Sequence, residues 1–144
     1  MAYNTVLEVH EVFEKTLKMK TQKEKVEFLR SQDKNSLAVR DICQAAHDDR
    51  VQFLLPKGPV PYTVCDGSPP STLLRKHKDL TYFVKKGMGE KMPAYKREGI
   101  FIAMLESIHP KDAEIMVNVI NKKTPAKGIN KTIVQKAWPE LGIK

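Results

Sequence analysis

Apolar residues recur three and four positions apart over most of this chain, a spacing that lines one face of an α-helix. Val6, Val9, Phe13 and Leu17 follow it, as do Leu37, Val39, Ile42, Cys43 and Ala46, and again Ile115, Met116, Val119 and Ile120. The pattern predicts an all-α fold of six or seven helices. With 144 residues, the chain is sized for one compact domain, residues 1–144, that buries roughly two thirds of its unfolded surface without staples.

Helix boundaries are written in the same sequence. A first helix is predicted over Tyr3 to Lys18, with Glu8, Glu11 and Glu14 largely off its apolar face. Thr21-Gln22-Lys23-Glu24 has the form of a capping box, in which hydroxyl and carboxylate satisfy each other's backbone donors, and opens a second helix through Leu29 and Arg30. A third helix runs from Asp33–Ser36 to about Asp48. Val51 to Leu55 is too short to assign to helix or strand. Five of the nine prolines then fall in a loop over about 56–70, long enough to act as a binding element or an ordered excursion. Ser71 is placed to cap a helix whose apolar side is Leu73, Leu74, His77, Leu80, Phe83 and Val84, closed by Gly87. Pro93 opens a helix that reads as almost wholly buried, and Pro110 opens one that runs to about Asn121. After the basic turn 121–128, Asn130 caps a short helix anchored by Trp138 and ended by Pro139.

Several chemistries are excluded by what these segments lack. Cys43 and Cys65 form no CxxC pair, and Cys43 reads as a buried helix residue, so neither a disulfide framework nor a zinc site is expected. Histidines 10, 47, 77 and 109 share no ligand spacing, so no metal is implied. Asp48 and Asp49 are adjacent and therefore diverge on a helix, which argues against paired-carboxylate catalysis. Gly87-Met88-Gly89-Glu90-Lys91 lacks phosphate-loop spacing. No apolar run reaches the roughly 20 residues that span a bilayer, and no signal-peptide core opens the chain, so a cytoplasmic location is expected. The expectation is a protein without catalytic residues or cofactor.

Charge carries the positive signal. Residues 1–55 hold nine Lys or Arg and nine Asp or Glu, whereas residues 56–144 hold sixteen against eight, so the whole formal +8 belongs to the second part. A surplus this lopsided points to a polyanionic partner. Its densest element is the turn before Asn130. There Lys122, Lys123, Lys127 and Lys131 surround a helix start whose free amides and dipole favour an anion, with Gly128 allowing close backbone approach and Asn130 adding hydrogen-bonding groups. Surface lysines at such a turn are more often simply solvated. A second basic group comprises Arg75, Lys76 and Lys78, on a helix face that also carries Lys85 and Lys86, together with Lys96 and Arg97, whose charge in a first helical turn opposes the dipole and is better explained by an anion nearby.

Two stretches resemble a known family. Gly128, Ile129-Asn130-Lys131-Thr132-Ile133-Val134-Gln135-Lys136-Ala137 and Trp138-Pro139-Glu140-Leu141 resemble the end of the helical N-terminal DNA-binding domain of ATP-dependent DNA ligases, especially the small ligases of T-even-type phages. Thr21-Gln22-Lys23-Glu24-Lys25, Phe28-Leu29-Arg30 and Asp33-Lys34-Asn35 resemble the opening helical hairpin of the same domain. The likeness covers roughly residues 5–55 and 95–142. It departs at Thr124-Pro125-Ala126-Lys127, where the ligases carry an acidic and aliphatic run. The chain is also similar to small stand-alone proteins of T-even-like phages.

This resemblance implies a DNA-ligase DNA-binding-domain-like fold and contact with double-stranded DNA, intact or nicked, from the minor-groove side through the sugar-phosphate backbone. Ligase catalysis is not implied: the position two residues before Asp66-Gly67, where ligases place the nucleophilic lysine, is Val64. Lysine is a mobile point charge suited to phosphates rather than bases, so sequence-independent binding in replication, repair or recombination is expected. The alternative is a module docking an acidic surface of replication or transcription proteins. Oligomeric state is left open.

Overall fold

A computed structural model of the chain describes residues 7–58 and 60–143. Among these, seven α-helices follow one another: α1 (Val9–Leu17), α2 (Gln22–Ser31), α3 (Ala38–His47), α4 (Leu73–Lys76), α5 (Ala94–Ser107), α6 (Pro110–Ile120) and α7 (Lys131–Ala137). Short 3-10 turns follow α2, α4 and α7. The fold is all-α, and the described residues contain no strand beyond an isolated antiparallel bridge between Phe53 and Val84.

Helix α6 holds the centre. It packs on α3, α5 and α1, while α7 lies against α2 and α3. Ala113, Met116, Val119 and Ile120 of α6 are buried at the three-and-four spacing the sequence shows. Fully buried Phe13, Leu29, Ile42, Phe101, Leu105 and Trp138 come from five different segments and close one continuous core around it. Phe83 and Phe101 meet edge-on with ring centres 5.2 Å apart, the favoured geometry for aromatic quadrupoles.

Local chemistry explains the helix ends. Thr21 Oγ1 accepts from the Glu24 amide at 3.1 Å, so α2 starts where the capping pattern predicts, although only this half of the reciprocal box forms. At α1 Glu8 and Glu11 form a capping box, with the Glu8 amide donating to Glu11 Oε1 at 2.9 Å. That helix begins at Val9 with Glu8 as its extended cap, later than predicted; Tyr3 itself lies outside the described residues. Pro110 occupies the first turn of α6, and Asn130 Oδ1 accepts from the Ile133 amide at 3.0 Å to start α7.

Three expectations need correction. The cap before Leu73 is Thr72 rather than Ser71, and its helix is only one turn long. His77–Tyr82 tightens into a 3-10 turn because His77 is held by Asp41, with Nδ1 3.0 Å from Oδ2, and Phe83 and Val84 must swing out to pair with 52–54. Helix α5 is not wholly buried: Phe101, Met104 and Leu105 face the core, whereas Tyr95 is 77 % exposed. Finally, α3 begins at Ala38, after a 3-10 turn at Gln32–Lys34.

Candidate functional site

The segment joining α6 to α7 is pinned at both ends by the C-terminus of α3. The last carbonyls of a helix have no intrahelical partner and carry its negative pole. Lys122 answers this for α3. Its Nζ donates to the carbonyls of Ala45 (2.6 Å), Asp48 (2.8 Å) and Val51 (2.9 Å), all three of its protons spent. The ammonium also stands 5.8 Å from the centre of the Phe53 ring, a cation–π distance. Burial lowers the Lys122 pKa, with Asp49 and Asp48 opposing that shift. Lys122 sits at φ 57°, the left-handed position that closes α6, where its amide bonds the Val119 carbonyl at 3.0 Å and the Lys123 amide bonds the Asn118 carbonyl at 2.9 Å.

At the other end, His47 Nε2 lies 3.1 Å from the Ile129 carbonyl, which also accepts from the Thr124 hydroxyl. Burial lowers the His47 pKa, and the nearby charges of Lys131 and Lys122 push it the same way, against the Ile129 hydrogen bond. Between the two ties, Gly128 runs at φ 100° and close to α1: a Cβ there would stand 2.6 Å from Leu17 Cδ2. The absence of a side chain at Gly128 is thus used to pack against Leu17.

These contacts redraw the lysine cluster expected at this turn. Lys122 is withdrawn from it, because a fully hydrogen-bonded ammonium capping α3 has no donor left for a phosphate. Asn130 spends its amide oxygen on Ile133, and its carbonyl takes the Val134 amide, so two of the amides at the start of α7 are already satisfied. Lys123 and Lys127 are exposed and Lys131 is half-buried. None of the three is in an ion pair among the described residues, whose ion pairs include Lys111 with Glu14, Arg30 with Glu140 and Arg50 with Asp48.

The second basic group is also thinned. Arg97 is 8 % exposed, and its Nη1 donates to the carbonyls of Gly89 (3.0 Å) and Met92 (2.8 Å). Its place in the first turn of α5 is therefore accounted for by the 87–92 turn it closes rather than by an external anion. That turn is tight, since a Cβ on Gly89 would lie 2.0 Å from the Tyr82 carbonyl oxygen. Lys76 has Asp79 at 4.0 Å, while Arg75, Lys78 and Lys96 are exposed.

A recess that the sequence does not announce opens beside Lys122. It measures about 350 Å³ and is lined by Lys57, Lys85 and Lys122, with Asp49, Gln52 and Phe53. Lys57 and Lys85 are exposed cations 28 positions apart in the chain, brought together by the Phe53–Val84 pairing and by the Asn121 side chain bonded to Gly58.

The family model of DUF6433, a family of unknown function, matches residues 12–125. The chain belongs to DUF6433. No curated protein matches it, and no solved structure does. The DUF6433 match runs from α1 through α6 and takes in Lys57, Lys85, Lys122 and Lys123, with Lys127, Gly128, Asn130 and Lys131 lying beyond it.

Other chemistry in this DUF6433 protein is structural in form. Arg50 holds Asp48 through two side-chain bonds of 2.9 and 2.8 Å, which pull the carboxyl down to about 2. Asp112 is fully buried, with Oδ1 accepting from both the His10 amide and His10 Nδ1 at 2.9 Å, a staple between α1 and α6. Cys43 is buried in the core, where desolvation raises its pKa, and Cys65 is free. Among the described residues no group of three or more His, Cys, Asp or Glu could hold a metal ion, and no helix is long and apolar enough to cross a membrane.

Proposed function

We propose that this protein is a non-catalytic, largely sequence-independent binder of duplex DNA that contacts the sugar-phosphate backbone, accessory to phage DNA replication, repair or recombination. The observation that carries the reading is the contrast within one turn: its backbone is anchored to α3 through Lys122 and His47, while Lys123, Lys127 and Lys131 have no acidic partner among the described residues. A rigid support with uncommitted cations suits phosphates, whose charge needs proximity more than fixed orientation. Support also comes from the +8 surplus, all of it in residues 56–144. Arg75, Lys78 and Lys96 are further exposed charges available to a long anion.

The test is a gel-shift titration of intact and nicked duplexes at two salt concentrations. Three lysines each neutralising one phosphate give a log–log salt slope of about −2.7. A stronger hold on the nicked duplex would match the behaviour expected from the ligase resemblance. Duplex affinity that ignores salt, or is absent at low salt while an acidic protein surface is bound tightly, would overturn the proposal.

A further inference from the structure

We propose that the recess between Lys57, Lys85 and Lys122 binds a phosphomonoester whose alcohol part carries hydroxyl groups, the chemistry shared by a sugar phosphate and the 5′-phosphate end of a nucleic-acid strand. The inference stands apart from duplex binding, because the recess is a different feature from the exposed turn at Lys123, Lys127 and Lys131.

Three segments distant in sequence deliver its cations, and each is fixed by its own backbone ties. The Lys57 wall is locked by the Asn121 side chain, whose Oδ1 accepts from the Gly58 amide at 2.6 Å and whose Nδ2 donates to the Gly58 carbonyl at 3.2 Å. The Lys85 wall is locked by its own amide on the Gln52 carbonyl at 2.8 Å, and by the Leu54 amide on the Phe83 carbonyl at 2.7 Å. Lys122 cannot move either, since three carbonyls hold its ammonium. Like charges gathered in a concave, partly apolar space repel one another and strengthen the field on any anion that enters. Neither Lys57 nor Lys85 is in an ion pair among the described residues, whose ion pairs involve His10, Arg30, Arg40, Arg50, Lys76, His77 and Lys111.

The lining also selects among anions. A phosphomonoester carries close to two negative charges at neutral pH, matching the two free ammonium groups, whereas a backbone diester brings one. Lys122 adds a fixed positive charge without offering a proton. Asp49 in the lining repels a bare anion but accepts hydrogen bonds from hydroxyl groups, and Phe53 and Ile120 supply an apolar surface for the carbon skeleton.

Ribose 5-phosphate is the probe, titrated into the full chain by calorimetry with ribose as control, alongside Lys57→Gln, Lys85→Gln and, outside the recess, Lys127→Glu. The expected result is saturable binding that ribose does not show, weakened about tenfold by each of the first two substitutions and unchanged by the third. No saturation by about 10 mM probe, or binding that Lys57→Gln and Lys85→Gln leave intact, would overturn the proposal. A second arm compares 5′-phosphorylated with 5′-hydroxyl oligonucleotides. A preference for the phosphorylated end that Lys85→Gln abolishes assigns the ligand to nucleic-acid ends, and equal binding of the two assigns it to free sugar phosphates. Because intact-duplex gel shifts are measured with Lys127→Glu and Lys85→Gln separately, loss of duplex binding and loss of this site are told apart.

Discussion

Trp138 Nε1 donates to the carboxylate of Asp33, 2.9 Å from Oδ2 and 3.2 Å from Oδ1. The two residues are 105 positions apart, one in the Asp33-Lys34-Asn35 stretch and the other in the Trp138-Pro139-Glu140-Leu141 stretch. The contact joins the 3-10 turn after α2 to the end of α7, and Arg30 strengthens the same junction by donating to the Ala137 carbonyl and to Glu140. Trp138→Ala would remove the largest fully buried side chain, with an expected cost of about 3–5 kcal/mol. Trp138→Phe keeps most of the volume and loses the charged hydrogen bond, for about 1–3 kcal/mol. Chemical denaturation of both variants checks the order; an equal loss would mean that the packed ring contributes nothing beyond its hydrogen bond.

Lys122 is expected to behave as a structural residue despite its charge. Lys122→Ala strips three carbonyls of one donor and should cost roughly 2–4 kcal/mol. Lys122→Gly loses the same ammonium but relieves the left-handed backbone, so it should be more stable than the alanine variant by about 1 kcal/mol. Thermal unfolding of the pair measures that difference, and a glycine variant less stable than alanine would contradict it.

What could be read from the sequence and what could not divide along a physical line. Thr21 and Asn130 were legible as caps because a cap acts within three residues of itself. The centre α6 was legible because burial leaves its period in Met116, Val119 and Ile120. Lys122 and Arg97 were not, since a lysine that reaches distant carbonyls has the same composition signature as one in water, and their partners lie 71–77 and 5–8 positions away. The same holds for the Lys57–Lys85 recess, built by the Phe53–Val84 pairing and by Asn121 holding Gly58, contacts 31 and 63 positions apart that leave no periodic signal. Residues 77–84 misled because their helical spacing was real, but the pairing of Lys85 with Gln52 prevailed over it.

Gly128→Ala should be destabilising although the position is exposed. A methyl group there meets the flexible end of Leu17, Cδ2 at 2.6 Å, which can turn aside at small cost, so the main penalty is φ 100°, unfavourable for alanine. The expected loss is about 1–3 kcal/mol. Adding Leu17→Ala should recover the steric part and leave the backbone part. A Gly128→Ala variant as stable as the parent would show that the turn readily relaxes.

His47 gives the fold a defined acid sensitivity. Its folded pKa lies below the ordinary 6.5, with burial the largest cause. The unfolded chain therefore binds more protons as pH falls through that region, so this group's contribution to stability is present above 6.5 and is lost as pH drops towards the folded pKa. Denaturation midpoints at about pH 7.5 and about pH 5.5 should differ more in the parent than in His47→Gln, which keeps a donor for the Ile129 carbonyl. An identical pH response in the two proteins would remove His47 as the cause.

Charge reversal separates anchoring cations from binding cations. Lys127 and Lys131 make no side-chain hydrogen bond among the described residues, so Lys127→Glu and Lys131→Glu should each stay within about 0.5 kcal/mol of parent stability, the ordinary range for surface changes. If these lysines meet phosphates, each reversal should weaken duplex binding several-fold near 0.1 M salt and make the log–log salt slope shallower by about 0.9, because one fewer counterion is released. Lys122→Glu is no test of binding, since a carboxylate facing the carbonyls of Ala45, Asp48 and Val51 would unfold the end of α3 first. The informative comparison is with Lys78→Glu, at an exposed position on another element. Weakening confined to Lys127 and Lys131 would locate the contact at the α6–α7 turn; equal weakening at all three would mean that net charge alone draws the protein to DNA, and the turn would lose its claim to be a site.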